Sequence, residues 1–249
     1  MNPNEFDIED MNIDYRTVAF PPLPKLEDIT KDTFLGPHPE SNKVIDGLYA
    51  GAFPSDINDL RNDINLIQIL NRDVSVWVSL QKELDENCPK WKWLQTGVRP
   101  YMVDVRKILQ NKSRYELLKT ENVEAEFLHL PIKDLQTTDD HMVIQLAKKL
   151  VRMYFQGKKI YIHCWGGHGR TGVVVCIILY LMYGLTADQA LEYCEKVHQQ
   201  RQLLAVVWSY EMSEEVYVTS PQTPTQFEQV RRIIKKLHLN FSVPNYLTR

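Results

Sequence analysis

The hydrophobic pattern becomes globular at Val44, and from there short apolar runs alternate with longer stretches of helical spacing. A strand-like piece at Gly47 to Gly51 precedes a predicted helix over Asp56 to Leu70, with Ser55 as its N-cap and Ile57, Leu60, Ile64 and Ile67 on one face. Val74 to Leu80 (VSVWVSL) is rich in β-branched residues and reads as a buried strand. Glu126 to Ile132 predicts another strand, Asp139 to Phe155 an amphipathic helix closed by Gly157, and Lys159 to His163 (KIYIH) a further strand. An apolar helix over Thr171 to Tyr183 is entered straight from a glycine-rich turn. Thr186 and Gln189 have capping-box spacing at the start of the next helix. The last begins near Thr223, with Pro224 in first position, Gln226 completing a second capping box, and the stripe Phe227, Val230, Ile233, Ile234, Leu237.

Strands alternating with helices predict an α/β domain with a central, mostly parallel sheet flanked by helices. Two stretches fall outside that rhythm. Residues 1–40 read as an extended arm, with Pro21, Pro22 and Pro24 and the turn-prone Gly36, Pro37, His38, Pro39. The prolines suit a proline-binding module, whereas Phe20, Leu23, Leu26 and Phe34 suit an arm packed along the domain. Between Gln81 and Glu124 the pattern weakens; Trp91, Trp93 and Tyr101 are core or rim aromatics, and a helix is expected around Val103 to Lys119. The globular domain is taken as residues 41–240, followed by a tail over 241–249.

With 249 residues, 44% of them hydrophobic, the chain has ample material for one good-sized core. Its net charge of −3 gives no bulk attraction for nucleic acid or anionic lipid, so anion recognition has to be local. The longest apolar stretch, Val173 to Tyr183, is too short to span a bilayer, and the acidic start MNPNEFDIED lacks the form of a signal peptide. A cytoplasmic location is expected, with the nucleus as the alternative. The four cysteines, Cys88, Cys164, Cys176 and Cys194, have no paired metal-ligand spacing and are expected as free thiols.

The candidate chemistry sits at His163, Cys164, Trp165, Gly166, Gly167, His168, Gly169, Arg170, Thr171, Gly172. A strand delivers the cysteine, three glycines permit a tight loop, an arginine closes it and an apolar helix follows. Such a loop points successive backbone N–H groups inward as a nest for a phosphate dianion, reinforced by the helix N-terminus. The same field favours the nucleophilic thiolate form of a cysteine placed there. Arg170 can hold two phosphoryl oxygens in a bidentate fork. The plainer reading makes Cys164 a small buried hydrophobe in an ordinary turn. A nucleotide P-loop lacks its lysine with serine or threonine, and a metal site would need His163, Cys164 and His168 aimed at one point.

At these residues the chain resembles the cysteine phosphatase superfamily, whose signature is His-Cys, five residues, then Arg-Thr/Ser-Gly, and most of all its compact dual-specificity branch. The resemblance runs from about Val44 to Leu237. It implies a covalent phosphocysteine mechanism with no metal or cofactor, in which His163 braces the loop, Thr171 offers its hydroxyl to the departing sulfur, and the backbone from Trp165 through Gly166, Gly167, His168 and Gly169 to Arg170 binds phosphoryl oxygens. A general acid is also needed. Asp134, which follows a strand and a proline, matches where this branch carries its acid, while Asp139 and Asp140 read as helix-start residues. The segment Ser220 to Gln226 (SPQTPTQ) resembles one whose glutamine positions the hydrolytic water, with Gln222 preferred and Gln226 explained by its capping box. Asp46 to Pro54 resembles the branch's entry segment, its Tyr49 being more often core.

The expected partner is a phosphorylated protein, carrying phosphotyrosine and in second place phosphoserine or phosphothreonine. Relatives acting on phosphoinositides often carry lysines in the loop; this loop has Trp165 and His168 instead. A phosphoinositide or other non-protein phosphatase, or a catalytically silent phosphate-binding module, are the alternatives.

Overall fold

The computed structural model describes residues 20–120, 123–209 and 213–242; the rest of the expected N-terminal arm and C-terminal tail lies outside the described residues. In chain order the elements are α1 (Lys31–Phe34), β1 (Ser41–Ile45), β2 (Leu48–Gly51), α2 (Asp59–Leu70), β3 (Val74–Gln81), α3 (Lys90–Thr96), α4 (Tyr101–Gln110) and β4 (Glu126–Ile132). They continue with α5 (Asp140–Phe155), β5 (Lys159–His163), α6 (Gly169–Tyr183), α7 (Ala187–His198), β6 (Val206–Ser209), β7 (Glu214–Tyr217) and α8 (Pro224–Ser242).

Five strands form one sheet in the order β1-β2-β5-β3-β4, in which only the β1–β2 pair is antiparallel. β5 is central and covered on both faces, which is why KIYIH reads as nearly unbroken apolar sequence. On one face Val76, Val78, Ile160 and Ile162 meet buried residues of α5, α6, α7 and α8. On the other, Trp77 and Tyr161 meet Leu66, Ile69, Tyr101 and Val105 of α2 and α4. The parallel strands β3, β4 and β5 end together at Gln81, Ile132 and His163, and ligand sites in α/β sheets gather beyond such carboxyl ends.

β4 and β5 have the expected bounds, and α7 has its complete Thr186–Gln189 capping box. Thr223 and Gln226 exchange the two bonds of the second box. α2 departs from expectation: it starts at Asp59 with Asn58 as N-cap, while Ser55 donates its hydroxyl to Asn62 Oδ1 at 2.6 Å. Ile57 and Leu60 face solvent, 48% and 70% exposed, because the inward side of the first turns is given to Asn62, which donates to Asp104. The helix expected over Val103 to Lys119 runs from Tyr101 to Gln110; the Asn111 side chain donates to the Lys107 carbonyl and ends it. α6 starts two residues before Thr171, which places Arg170 in its first turn. β1, α3 and the β6–β7 hairpin have no counterpart in the sequence reading.

From Phe20 onward the proline-rich segment lies on the domain. Ile29 and Phe34 are buried, and Phe20, Leu23 and Leu26 pack against the same cluster as α5 and α6. Trp93 and Tyr101 are buried, whereas Trp91 is 65% exposed.

Candidate active site

The loop from Cys164 to Gly169 leaves the buried end of β5 and turns at once into α6. Gly167 lies at φ +73°, and a Cβ there would overlap the backbone of Gly51, so the close approach of loop to β2 requires glycine. The loop's carbonyls are engaged from outside. Phe53 N–H donates to the Trp165 carbonyl at 2.8 Å, and the Arg201 guanidinium donates to those of Gly166 (2.9 Å) and Gly167 (2.8 Å). Ser220 Oγ donates to the His168 carbonyl at 3.0 Å. With four successive carbonyls drawn outward, the amide N–H groups are left to the concave side, the geometry of an anion nest. Arg201 is fully buried and spends its remaining Nε–H on Asn42 Oδ1. Burial pushes its pKa down to about 10, so it stays charged at neutral pH and makes charge-assisted bonds to the loop.

Cys164 is 3% exposed, seated in the nest. Beside it, His163 Nδ1 lies 3.3 Å from the Cys164 carbonyl, which can only accept, so Nδ1 carries the proton. Burial holds this ring neutral, with a pKa of about 3, which makes Nε2 an acceptor for the Tyr101 hydroxyl at 2.7 Å. The tautomer is thus fixed from both sides. Arg170, also buried, donates from Nη1 to the Ile132 carbonyl (2.9 Å) and from Nη2 to Asp134 Oδ1 (2.6 Å), with Glu83 at 3.4 Å. The fork that would take two phosphoryl oxygens therefore rests on the end of β4 and on the expected acid. Asp134 is exposed, with Leu135 beyond it at φ +59°, and its Oδ1 also accepts from the Leu135 N–H. Thr171 Oγ1 is buried and has no hydrogen-bond partner among the described residues, leaving the hydroxyl to the loop interior.

The structure therefore gathers His163, Cys164, Arg170, Thr171 and Asp134 at one place, with the backbone of Trp165, Gly166, Gly167, His168 and Gly169 around it. Asp139 instead caps α5, accepting from the N–H groups of His141 and Met142, and Asp140 is bound to Arg232. Gln222 is half-buried and its N–H donates to Gln226 Oε1. The glutamine side chain lying against the Cys164–Gly169 loop is that of Gln226: a Cβ on Gly169 would collide with it, and its Nε2 donates to the Gln136 carbonyl just beyond Asp134. The His168 ring turns away from the nest to His198, Nδ1 to Nε2 at 2.8 Å. Burial holds both imidazoles in the neutral form. Cys176 and Cys194 are buried in the core, and Cys88 is half-buried at the rim.

The sequence assigns no site role to Arg201, Asn42 or Glu83, and it marks Tyr101 only as a core or rim aromatic and Ser220 only as the start of the glutamine segment. None lies at a fixed spacing from the loop; the nearest thing to a signal is a lone arginine, Arg201, just past the end of an apolar-striped helix.

The fold and the loop define a cysteine-phosphatase type of site. Residues 95–226 match the family model described as "PTP-SAK: Swiss Army Knife protein, DSP-PTPase phosphatase domain", and the chain belongs to that family. It is 28% identical over 161 residues to "Putative tyrosine phosphatase 067L" of Invertebrate iridescent virus 3, covering 61% of this chain and 60% of that protein's length. Among solved structures it is similar to kinase associated phosphatase (KAP) with its catalytic-site cysteine replaced by serine, at TM-score 0.50 and 17% identity, over 77% of this chain and 87% of that one. It is likewise similar to PTPMT1 in complex with PI(5)P, at TM-score 0.50 and 13% identity, over 82% and 99%. These two likenesses are of fold.

Proposed function

We propose that the chain hydrolyses phosphate monoesters of proteins, phosphotyrosine first and phosphoserine or phosphothreonine second, through a phosphocysteine intermediate. The observation that carries the reading is the loop beside Cys164 whose four carbonyls from Trp165 to His168 are bonded from outside, with Arg170 and Asp134 in contact at its mouth.

In the first step Cys164 Sγ attacks phosphorus, the S–P bond forms, the ester P–O bond breaks and Asp134 gives its proton to the departing oxygen. The incoming phosphoryl group takes the Arg170 fork, so Asp134 exchanges the guanidinium for the leaving-group oxygen. In the second step water attacks phosphorus, Asp134 accepts its proton, and the S–P bond breaks with the Thr171 hydroxyl donating to the thiolate. The loop N–H groups and Arg170 stabilise the equatorial oxygens throughout, the main electrostatic contribution. Protein is favoured over a polyphosphorylated lipid because the pocket beside Arg170 carries Glu83, Asp85 and Asp134 against a single further cation, Lys92. A second phosphate there would meet net negative charge.

Hydrolysis of an aryl phosphate with chelator present tests the reading. Turnover should vanish in Cys164→Ser, which keeps phosphate binding, and Asp134→Asn should lower kcat at least tenfold and flatten one limb of the pH profile. Well-folded protein without turnover would refute it.

A further inference from the structure

Trp165 directly follows Cys164, yet it is 49% exposed, while the loop residues behind it are buried or half-buried. Its ring is nonetheless fixed. One face stacks on Phe53, with centroids 5.9 Å apart and planes at 13°. Its outer edge reaches the C-terminal turn of α3, where Gly97 lies at φ +75° and a Cβ would stand 3.6 Å from Trp165 Cη2. Phe53 thus covers one face and the end of α3 flanks an edge, and Trp165 lines a cavity of about 310 Å³ together with Arg170, Asp134, Thr96 and Val98. The wall stands ready before any ligand arrives, so little side-chain ordering is needed on binding.

We propose that Trp165 is the specificity-determining wall of this site, its free face taking the aromatic ring of an aryl phosphate such as phosphotyrosine. This rests on the phosphatase reading above and adds to it a residue that selects the ester. With the phosphoryl group in the loop, an aryl ester places its ring beyond the phosphoryl group, between Trp165 and the Asp134 side of the pocket. Offset stacking and burial against the indole then favour it. A phosphothreonine side chain ends at its branched carbon and offers the indole no ring. Val98 continues the apolar wall outward.

The test compares kcat/KM for a phosphotyrosine and a phosphothreonine peptide of one sequence in wild type, Trp165→Ala and Trp165→Phe. The phosphotyrosine to phosphothreonine ratio should fall at least fivefold in Trp165→Ala, mostly through KM, and recover to within twofold in Trp165→Phe. Any general disturbance of the loop lowers both substrates and cancels in the ratio. An unchanged ratio in Trp165→Ala, or no recovery in Trp165→Phe, overturns the proposal while leaving the phosphatase intact. Wild type that hydrolyses neither peptide overturns the underlying reading instead. Affinities of the three proteins, each also carrying Cys164→Ser so that nothing is turned over, for phenyl phosphate against inorganic phosphate then decide the wall by itself: a preference for the aryl compound that Trp165→Ala loses supports it, and equal affinities sink it.

Discussion

Mild acid should remove much of this domain's stability, and the reason is the number of imidazoles buried uncharged around the catalytic loop. Burial pushes His38, His163 and His168 from 6.5 down to about 3, and it lowers His198 as well. Their charged surroundings oppose protonation: Arg201 faces His38, His168 and His198, and Arg170 faces His163. Among the described residues the carboxylate paired with one of these rings is Glu195, at 3.9 Å from His198 Nδ1. In the unfolded chain these side chains titrate near 6.5. Between that value and about 3 the unfolded state therefore holds more protons than the folded one, and stability falls as pH falls. The slope is about 1.4 kcal/mol per pH unit for each histidine, so at about pH 5.5 the group costs roughly 5 kcal/mol relative to pH 7.5. A whole domain has only about 5–15 kcal/mol to lose. Asp59, Asp73 and Asp140, whose ion pairs lower their pKa, act in the same direction but below their ordinary value of 3.8, outside this window. Urea unfolding across the range should show the midpoint dropping steeply below about pH 6.5, and calorimetry in two buffers should record about three to four protons taken up on unfolding. His38→Gln should reduce that uptake by about one. A flat midpoint, or an uptake below one proton, would refute the reasoning.

Three substitutions probe the loop's supports. Gly167→Ala puts a Cβ into the Gly51 backbone at a positive φ, and should cut turnover at least 100-fold in an aryl phosphate assay while lowering Tm. Arg201→Met leaves the Gly166 and Gly167 carbonyls unpaired; at about 1–3 kcal/mol for each, a stability loss of roughly 2–6 kcal/mol is expected in denaturant melts, with weaker phosphate binding in what remains folded. Tyr101→Phe removes the donor to His163 Nε2, an expected loss of about 1–3 kcal/mol, and unchanged stability and kcat would remove Tyr101 from the account.

The legible parts of this chain were those in which one local rule dominates. β5 is buried on both faces, so its apolar run needs no partner to be recognised, and the Thr186–Gln189 box is closed within four residues. α2 ends at Leu70 as expected, but its start and the face of its first turns were misread because that face carries a polar hub: Asn62 is bonded to Ser55 and Asp104, and Ile57 and Leu60 are turned out. The stretch from Gln81 to Glu124 resisted for a related reason. Arg99 holds it by pairing with Asp59 and Asp104 and lying over Trp93, contacts that leave no period in the sequence.

The same division runs through the site itself. Cys164, Arg170 and the glycines are contiguous because in the proposed mechanism they surround one phosphoryl group, and contiguity is what a motif records. What keeps the loop's N–H groups facing that phosphoryl group is distributed: Phe53 from the β2 end, Arg201 beyond α7, Ser220 and Gln226 at the start of α8. Each removes one alternative for the loop, either by occupying a carbonyl that would otherwise turn inward or by filling the space that a shifted Gly169 would need. The motif therefore specifies which chemistry is available, and the remote residues specify whether the backbone holds the shape that chemistry requires. A chain could keep every residue from His163 to Gly172 and lose the nest by losing Arg201 alone, because two adjacent carbonyls would then have no buried donor and the cheapest remedy is a peptide flip toward the anion site.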